Sequence, residues 1–166
     1  MSDDGFREFV EVRYLDLLRT GYLLTGSRSA AEDLVQGALL KVMRRWSRID
    51  DPMAYLRRIM VNQRTSAWRT AGRLGELLTS RPPDRPDRVD IAEKVASRDE
   101  LLRALDTLPP RMRAVLVLRY WEDVSEAETA ALLGCSVGSV KSQASRGLAR
   151  LRTVLDLSLM GIEGKR

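Results

Sequence analysis

Apolar side chains recur at Phe6, Phe9, Val10, Leu15, Leu17, Leu18 and Tyr22, close to the helical period of about 3.6 residues, and Gly26 follows where a left-handed cap would close the helix. A helix over residues 6–24 is predicted. Ser29-Ala30-Ala31-Glu32 then reads as a capping box with Ser29 as N-cap, opening a helix over residues 30–46. Asp51-Pro52 starts a third, because proline is preorganised for the first helical position; it is expected to run toward Gly72. Residues 79–90, TSRPPDRPDRVD, hold three prolines and alternating charges without an apolar stripe, the composition of a linker.

Periodicity resumes at Ile91, Val95, Leu101, Leu102, Leu105 and Leu108. Pro109-Pro110 breaks that helix and starts another over residues 111–120. A second capping box, Ser125 to Glu128, opens a short helix ending near Leu133. The run AVLVL at 114–118 is a candidate strand, but it is short and flanked by helical signals. The expected fold is therefore all-α: two small helical domains joined by a proline- and charge-rich linker. Boundaries follow at 1–75, 76–98 for the linker, 99–157 for the second domain and 158–166 for a tail.

The stretch LLGCSVGSVKSQASR at 132–146 is poor in bulk beside strongly helical sequence. Aligned on Gly134, it has Ala130 four residues before and Val140 six residues after. A helix-turn-helix needs this pattern: a small residue lets two helices approach, glycine takes the left-handed turn, and a β-branched residue locks the second helix down. Ser136 is the natural N-cap. Projection of residues 137–155 at about 100° per residue puts Val137, Val140, Ala144, Leu148, Leu151 and Leu155 on one stripe. The other side presents Gly138, Ser139, Ser142, Ser145, Arg146 and Ala149, with Lys141 and Arg150 at its margins. Small hydroxylated and basic residues suit a helix that must come close to base edges and phosphates. The same face is also compatible with an ordinary solvated helix. Cys135, within the turn, reads as a filler.

The 166 residues are 44% hydrophobic and 31% charged with a net charge of +5, enough apolar material for a core and a lean toward polyanions. The distribution is more telling than the total. Residues 52–74 hold five arginines and no acid, and residues 129–155 hold four basic residues and no acid. One cysteine and no histidine exclude an internal disulfide and a Cys/His zinc site. No apolar run is long enough to span a bilayer and residues 1–9 do not read as a signal peptide, so a cytoplasmic protein is expected, with no membrane partner.

In the first half, residues 30–46 project a core stripe of Val35, Ala38, Leu39, Val42 and Trp46. Opposite lie Asp33, Gln36, Gly37, Leu40 and Arg44. Leu40 is either one of the scattered exposed leucines of any surface or, with Asp33, Gln36 and Gly37, part of a flat docking site for another protein's helix. In the third helix Arg57, Arg58, Arg64, Arg69 and Arg73 interleave with Tyr55, Asn62 and Trp68, a chemistry that holds single-stranded nucleic acid. Tyr55 reads more readily as core; Trp68 fits either role.

Three segments, AAEDLVQGALLKVMRRW, DPMAYLRRIMVNQRTSAWR and LPPRMRAVLVLRYWEDVSEAETAALLGCSVGSVKSQASRGLARLR, stand in an order and spacing that resembles the extracytoplasmic-function (ECF) sigma factors, the smallest class of the sigma-70 family, in its actinobacterial form. The resemblance spans about residues 6–155. It implies a transcription initiation factor with no catalytic residue, cofactor or metal of its own. It implies that Asp33, Gln36 and Leu40 dock on the clamp coiled coil of bacterial core RNA polymerase, with the flap as a further contact. Arg57, Arg58, Asn62, Arg64, Ser66, Trp68 and Arg69 would hold the single-stranded minus-10 element, with the loop near residues 48–52 and the stretch 62–68 taking a flipped non-template base. Arg119, Ser139, Lys141, Ser142, Ser145 and Arg146 would read the minus-35 duplex. An anti-sigma factor is a further partner that the resemblance leaves room for.

Three positions depart from the family pattern. Gln143 stands where many relatives carry a second arginine, Ser145 where many carry a bulkier residue, and Gly37 where a glutamate often follows the DLVQ motif. Two rival readings rest on the helix-turn-helix alone: a dimeric repressor or activator, and a recombinase-like enzyme. The first does not require the arginine-aromatic helix or the Asp33 and Leu40 face; the second lacks an activated nucleophile with an acid–base partner.

Overall fold

The computed structural model describes residues 3–75 and 94–155, and within them the side chains of residues 4–65 and 98–155. Of the predicted linker at 76–98, residues 76–93 lie outside the described residues, as do the tail and the side chain of Val95, whereas residues 94–98 are already helical. The chain divides into two compact units, Met1–Pro86 and Asp87–Arg166. Seven α-helices and no strand occur among the described residues, as the hydrophobic pattern predicts.

In the first unit α1 (Asp3–Thr25), α2 (Arg28–Met43) and α3 (Pro52–Gly75) pack on one another, with a 3-10 turn at Trp46–Arg48. Gly26, at φ 78°, ends α1, and its N–H donates to the Tyr22 carbonyl at 2.7 Å. The left-handed glycine delivers an extended Ser27, whose Oγ accepts from the Ala30 N–H at 3.3 Å. Ser27, not Ser29, is therefore the N-cap, and Glu32 pairs with Arg28 at 3.0 Å instead of reaching back to Ser29. The helix also stops short of Trp46, whose ring is held by Phe6 and Phe9 at centroid distances of 5.4 and 5.2 Å. The core is built from Leu17, Leu24, Val35, Ala38, Val42, Leu56, Met60 and Val61. Leu15, expected inside, is 65% exposed. The start of α3 is as predicted: Asp51 Oδ1 accepts from the Ala54 N–H at 3.0 Å, with Pro52 at the first helical position.

The second unit holds α4 (Lys94–Asp106), α5 (Pro110–Leu116), α6 (Glu126–Leu133) and α7 (Val137–Leu155), with α4, α5 and α6 all packing on α7. Residues 114–118 are helical and all buried, because an apolar run with no polar side is what a helix enclosed on every face requires. The predicted helix to Tyr120 does not continue as α. It widens into a π-helical turn at Val117–Trp121, with Glu122 N–H donating to the Val117 carbonyl at 3.0 Å. Arg113 is buried and bonds Asp106 at 2.6 Å, tying α5 to the end of α4. Arg111 donates to the Leu133 carbonyl at 3.0 Å, meeting a need left at the C-terminus of α6.

Gly147 sets how closely α7 seats. A Cβ there would lie 2.9 Å from Leu116 Cδ1, 3.0 Å from Met112 Cγ and 3.1 Å from Leu116 Cγ. At Gly138, on the same helix, the nearest atom would be Ser136 Oγ at 3.9 Å. The two glycines should respond oppositely to alanine. Gly147→Ala is expected to destabilise by about 1–3 kcal/mol through overpacking, whereas Gly138→Ala should be neutral or gain about 0.5 kcal/mol. Urea unfolding of the two variants beside the parent measures this; equal midpoints for both would refute the assigned seat.

Candidate nucleic-acid and partner interfaces

The turn between α6 and α7 is built as its sequence predicts. Ser125 Oγ caps α6 by accepting from the Glu128 N–H at 3.1 Å. Gly134 adopts φ 63° and ψ 41°, and the Cys135 N–H donates to the Ala130 carbonyl at 3.0 Å. Ser136 Oγ then accepts from the Ser139 N–H at 3.1 Å, opening α7. Val140, fully buried, locks α7 onto the unit with Ala144 and Leu151. Cys135 is half-buried, consistent with filling the turn.

Away from that core α7 presents Gly138, Ser145, Arg146 and Ala149 exposed, with Ser139 and Ser142 partly so. Lys141 and Arg150 are exposed at the margins, as projected. One position is corrected: Val137, placed on the core stripe, is 39% exposed at the first helical position past the cap. Gly147, which the projection assigns to neither face, is buried, because glycine gives no apolar signal to a hydrophobic projection.

The polar groups of this face bond to one another. Arg146 Nη2 donates to Ser142 Oγ at 2.6 Å and Gln143 Nε2 to Ser139 Oγ at 3.3 Å, both one helical turn apart. Gln143 thus carries no charge but lends an amide to the serine face. Lys141 Nζ lies 3.7 Å from Glu126 Oε2, and Arg119 Nη2 4.0 Å from Glu126 Oε1. The other terminal nitrogen of Arg119 bonds the Val124 carbonyl. Arg119 is therefore half-buried and helps hold the turn before α6, with its second terminal nitrogen near Glu126. Glu126 escaped the sequence reading because the acid-free stretch starts three residues after it; its reach to Lys141 is a tertiary contact that linear spacing does not encode.

On α2, Asp33, Gln36 and Leu40 are all exposed, Leu40 at 53%, and Met43 at 45% extends the apolar end. Gly37 differs from expectation: it is half-buried, and a Cβ there would meet the Gln63 amide of α3 at 3.5 Å. On α1, Val12, which periodicity does not single out, joins Leu15 as an exposed apolar residue. In the second unit Tyr120 and Trp121 are each 55% exposed at the end of the π turn.

Along α3 the nominated residues divide into two registers. Arg58 and Asn62 are exposed one turn apart, and Ser66 and Arg69 continue that spacing. Arg57 and Arg64 are partly buried, and Trp68 continues theirs. The side chains of Ser66, Trp68 and Arg69 lie outside the described residues. Tyr55 is half-buried, in keeping with its reading as core. No group of three or more His, Cys, Asp or Glu among the described residues is placed to hold a metal ion, and no described helix is long and apolar enough to cross a membrane.

These surfaces sit within two matched families: Sigma-70 region 2 over residues 9–74 and Sigma-70 region 4 over residues 98–151. The fold and its two polar surfaces therefore define a member of the sigma-70 family. The chain is 44% identical over 164 residues to the RNA polymerase sigma-E factor of Streptomyces coelicolor, covering 95% of this chain and 92% of that one. It is 33% identical over 144 residues to the ECF RNA polymerase sigma factor SigE of Mycolicibacterium smegmatis, covering 82% of this chain and 56% of that protein. The sigma factor RpoE of Bartonella quintana, solved in complex with the anti-sigma factor NepR, shares the fold with a TM-score of 0.69 at 24% identity, over 92% of this chain and 98% of that one. The chain belongs to the ECF class of sigma-70 factors. That membership sets aside the dimeric-repressor and recombinase readings.

Ser136 stands at the base of the α7 face. Ser136→Ala is expected to cost about 1 kcal/mol of stability and to raise hydrogen exchange at the Ser139 amide specifically. An unchanged exchange rate at that amide would show that the cap does not hold the helix start.

Proposed function

We propose that this sigma factor divides promoter recognition between its two units, with α2 docking them on the polymerase. A sigma factor recognises promoters and starts transcription with RNA polymerase; it is an initiation factor rather than a classical enzyme, and it acts in the cytoplasm. The residue assignments are our own reading, as is its association with the nucleoid and the absence of any catalytic role or cofactor.

The observation that carries the reading is the outward face of α7. Its residues are small, hydroxylated or basic, and no acid occurs on the helix itself. Such a helix can enter the major groove of the minus-35 duplex, with serine hydroxyls near base edges and Lys141, Arg146 and Arg119 near phosphates. Because Arg146 donates to Ser142, the two act as a pair: removing either changes how the other meets DNA. On α3, Arg58 and Asn62 open the register that we assign to the minus-10 strand, with Ser66 and Arg69 beyond, and Arg57, Arg64 and Trp68 beside it. Cations there follow phosphate while amide and ring meet unstacked bases. Asp33, Gln36 and Leu40 supply the clamp contact, an acid and an amide around one exposed apolar side chain. The flap is assigned as a second polymerase contact. An anti-sigma factor, as in the Bartonella complex, is a fitting partner.

Each interface is small, so neither unit is expected to hold DNA strongly alone. Joining both to the polymerase raises their effective concentration at two promoter elements. Run-off transcription on the gene's own upstream region, with core polymerase and with or without the protein, tests the scheme. Asp33→Arg should abolish the transcript while leaving thermal unfolding unchanged, since exposed helix substitutions usually stay within about 0.5 kcal/mol. Gly138→Gln should also abolish promoter-specific transcription without loss of stability, because it puts bulk where the groove must approach. Full activity of Asp33→Arg would eliminate the clamp assignment, and full activity of Gly138→Gln the α7 one.

A further inference from the structure

Glu126 opens α6 and sets its carboxylate between two cations, Arg119 from the π turn and Lys141 from α7, at 4.0 and 3.7 Å. These are ion-pair distances rather than hydrogen bonds. Lys141 keeps 64% of its side chain exposed, Glu126 36% and Arg119 26%, so water screens the Lys141 pair strongly and the Arg119 pair in part. Arg146, elsewhere on the face, is held by a neutral serine hydroxyl instead. The carboxylate thus brings a negative charge to a face whose own helix has none, and it reaches two of the cations that we assign to DNA.

Acids in the first turn of a helix are favoured by its dipole, but that role is shared by Glu128, which lies in the same turn. Glu128 is exposed, with no cation at ion-pair distance among the described residues. What Glu126 alone adds is the bridge between Arg119 and Lys141.

We propose that Glu126 is an intramolecular stand-in for DNA phosphate: it occupies Arg119 and Lys141 in the free protein and keeps the isolated sigma factor off DNA. The inference rests on the reading of the α7 face as a DNA surface. When that face meets a duplex, phosphate oxygens compete with the carboxylate for the same two cations. Weak, screened pairs exchange readily, so a sigma factor already held at a promoter by the polymerase can make the exchange. A free one, whose binding to arbitrary DNA is almost wholly electrostatic, gains too little from it.

The test uses the full chain without polymerase and a short mixed-sequence DNA duplex, with affinity followed by fluorescence anisotropy through a salt series. Glu126→Gln should bind about 3–10-fold more tightly at low salt. Its plot of log affinity against log salt should steepen by up to about 0.9, the value of one additional effective charge. A variant that merely loosened the domain would bind more weakly, so the sign separates release of the cations from damage. Glu128→Gln removes the same charge from the same turn and should leave affinity and slope much closer to the parent. Lys141→Met should weaken binding in the parent and take away most of the gain in the Glu126→Gln background.

If Lys141→Met weakens binding but Glu126→Gln does not tighten it, the stand-in is refuted and the DNA face survives. If Glu128→Gln tightens binding as much as Glu126→Gln, the effect is net charge and the specific bridge is refuted. If neither Lys141→Met nor Arg119→Met alters binding, the DNA face is wrong and the stand-in falls with it.

Discussion

How much α7 can offer outward depends on how deeply it is seated inward. The seat is Gly147, where Met112 and Leu116 of α5 come so near that a methyl group would collide with both. Interiors pack at the density of organic crystals, so a shift of even one methylene there would tilt the helix rather than be absorbed. The buried stripe of Val140, Ala144, Gly147 and Leu151 is correspondingly made of small and medium side chains. Gly21 plays a related part in the first unit, its added Cβ lying 3.3 Å from Ala31 and Val35. Both units gain a close helix contact by omitting a side chain at one point.

That seating leaves the exposed side of α7 free to be poor in bulk, and bulk is what a groove would reject. The hydroxyls and cations there are not idle in the free protein. Ser139, Ser142, Gln143 and Arg146 bond in pairs one turn apart, and Lys141 leans toward α6. Pairing of this kind limits the side-chain entropy lost when a partner arrives, at the expense of contacts that must be exchanged. The surface is ordered in advance, and its order is local enough to be rewritten.

Local signals were legible wherever one residue's backbone chemistry decides the outcome. Gly26 and Gly134 needed left-handed φ, Asp51, Ser125 and Ser136 each capped the helix that their position announced, and Pro52 started α3. Local signals mislead where two of them compete: Ser27 takes the cap from Ser29 because the left-handed glycine leaves the next residue extended. They are silent where the deciding contact comes from a neighbouring helix. Nothing in the spacing of residues 111–120 encodes the widened π turn, and nothing in the spacing of α7 tells that Glu126 approaches it. Leu15 and Val137 matched the apolar period of their helices, yet no neighbour covers them. Of the nominated residues, exposure on α2 and α7 could be inferred from projection; the division of the α3 residues into two registers required knowing which side α1 and α2 cover.

The turn that carries Gly134 also holds the chain's single thiol. Cys135 is half-buried, its N–H is spent on the Ala130 carbonyl, and the carbonyl of Leu133 nearby is held by Arg111 from α5. Because Cys135 is only half-buried, a thiol-specific reagent reaches the sulfur in part without any opening of that turn, and a change in its reaction rate reports a change in how the turn is covered. One cysteine means one labelling rate, with no background from elsewhere in the chain. The protein thus carries a native chemical reporter in the turn between α6 and α7, whose reactivity follows the packing of that one turn.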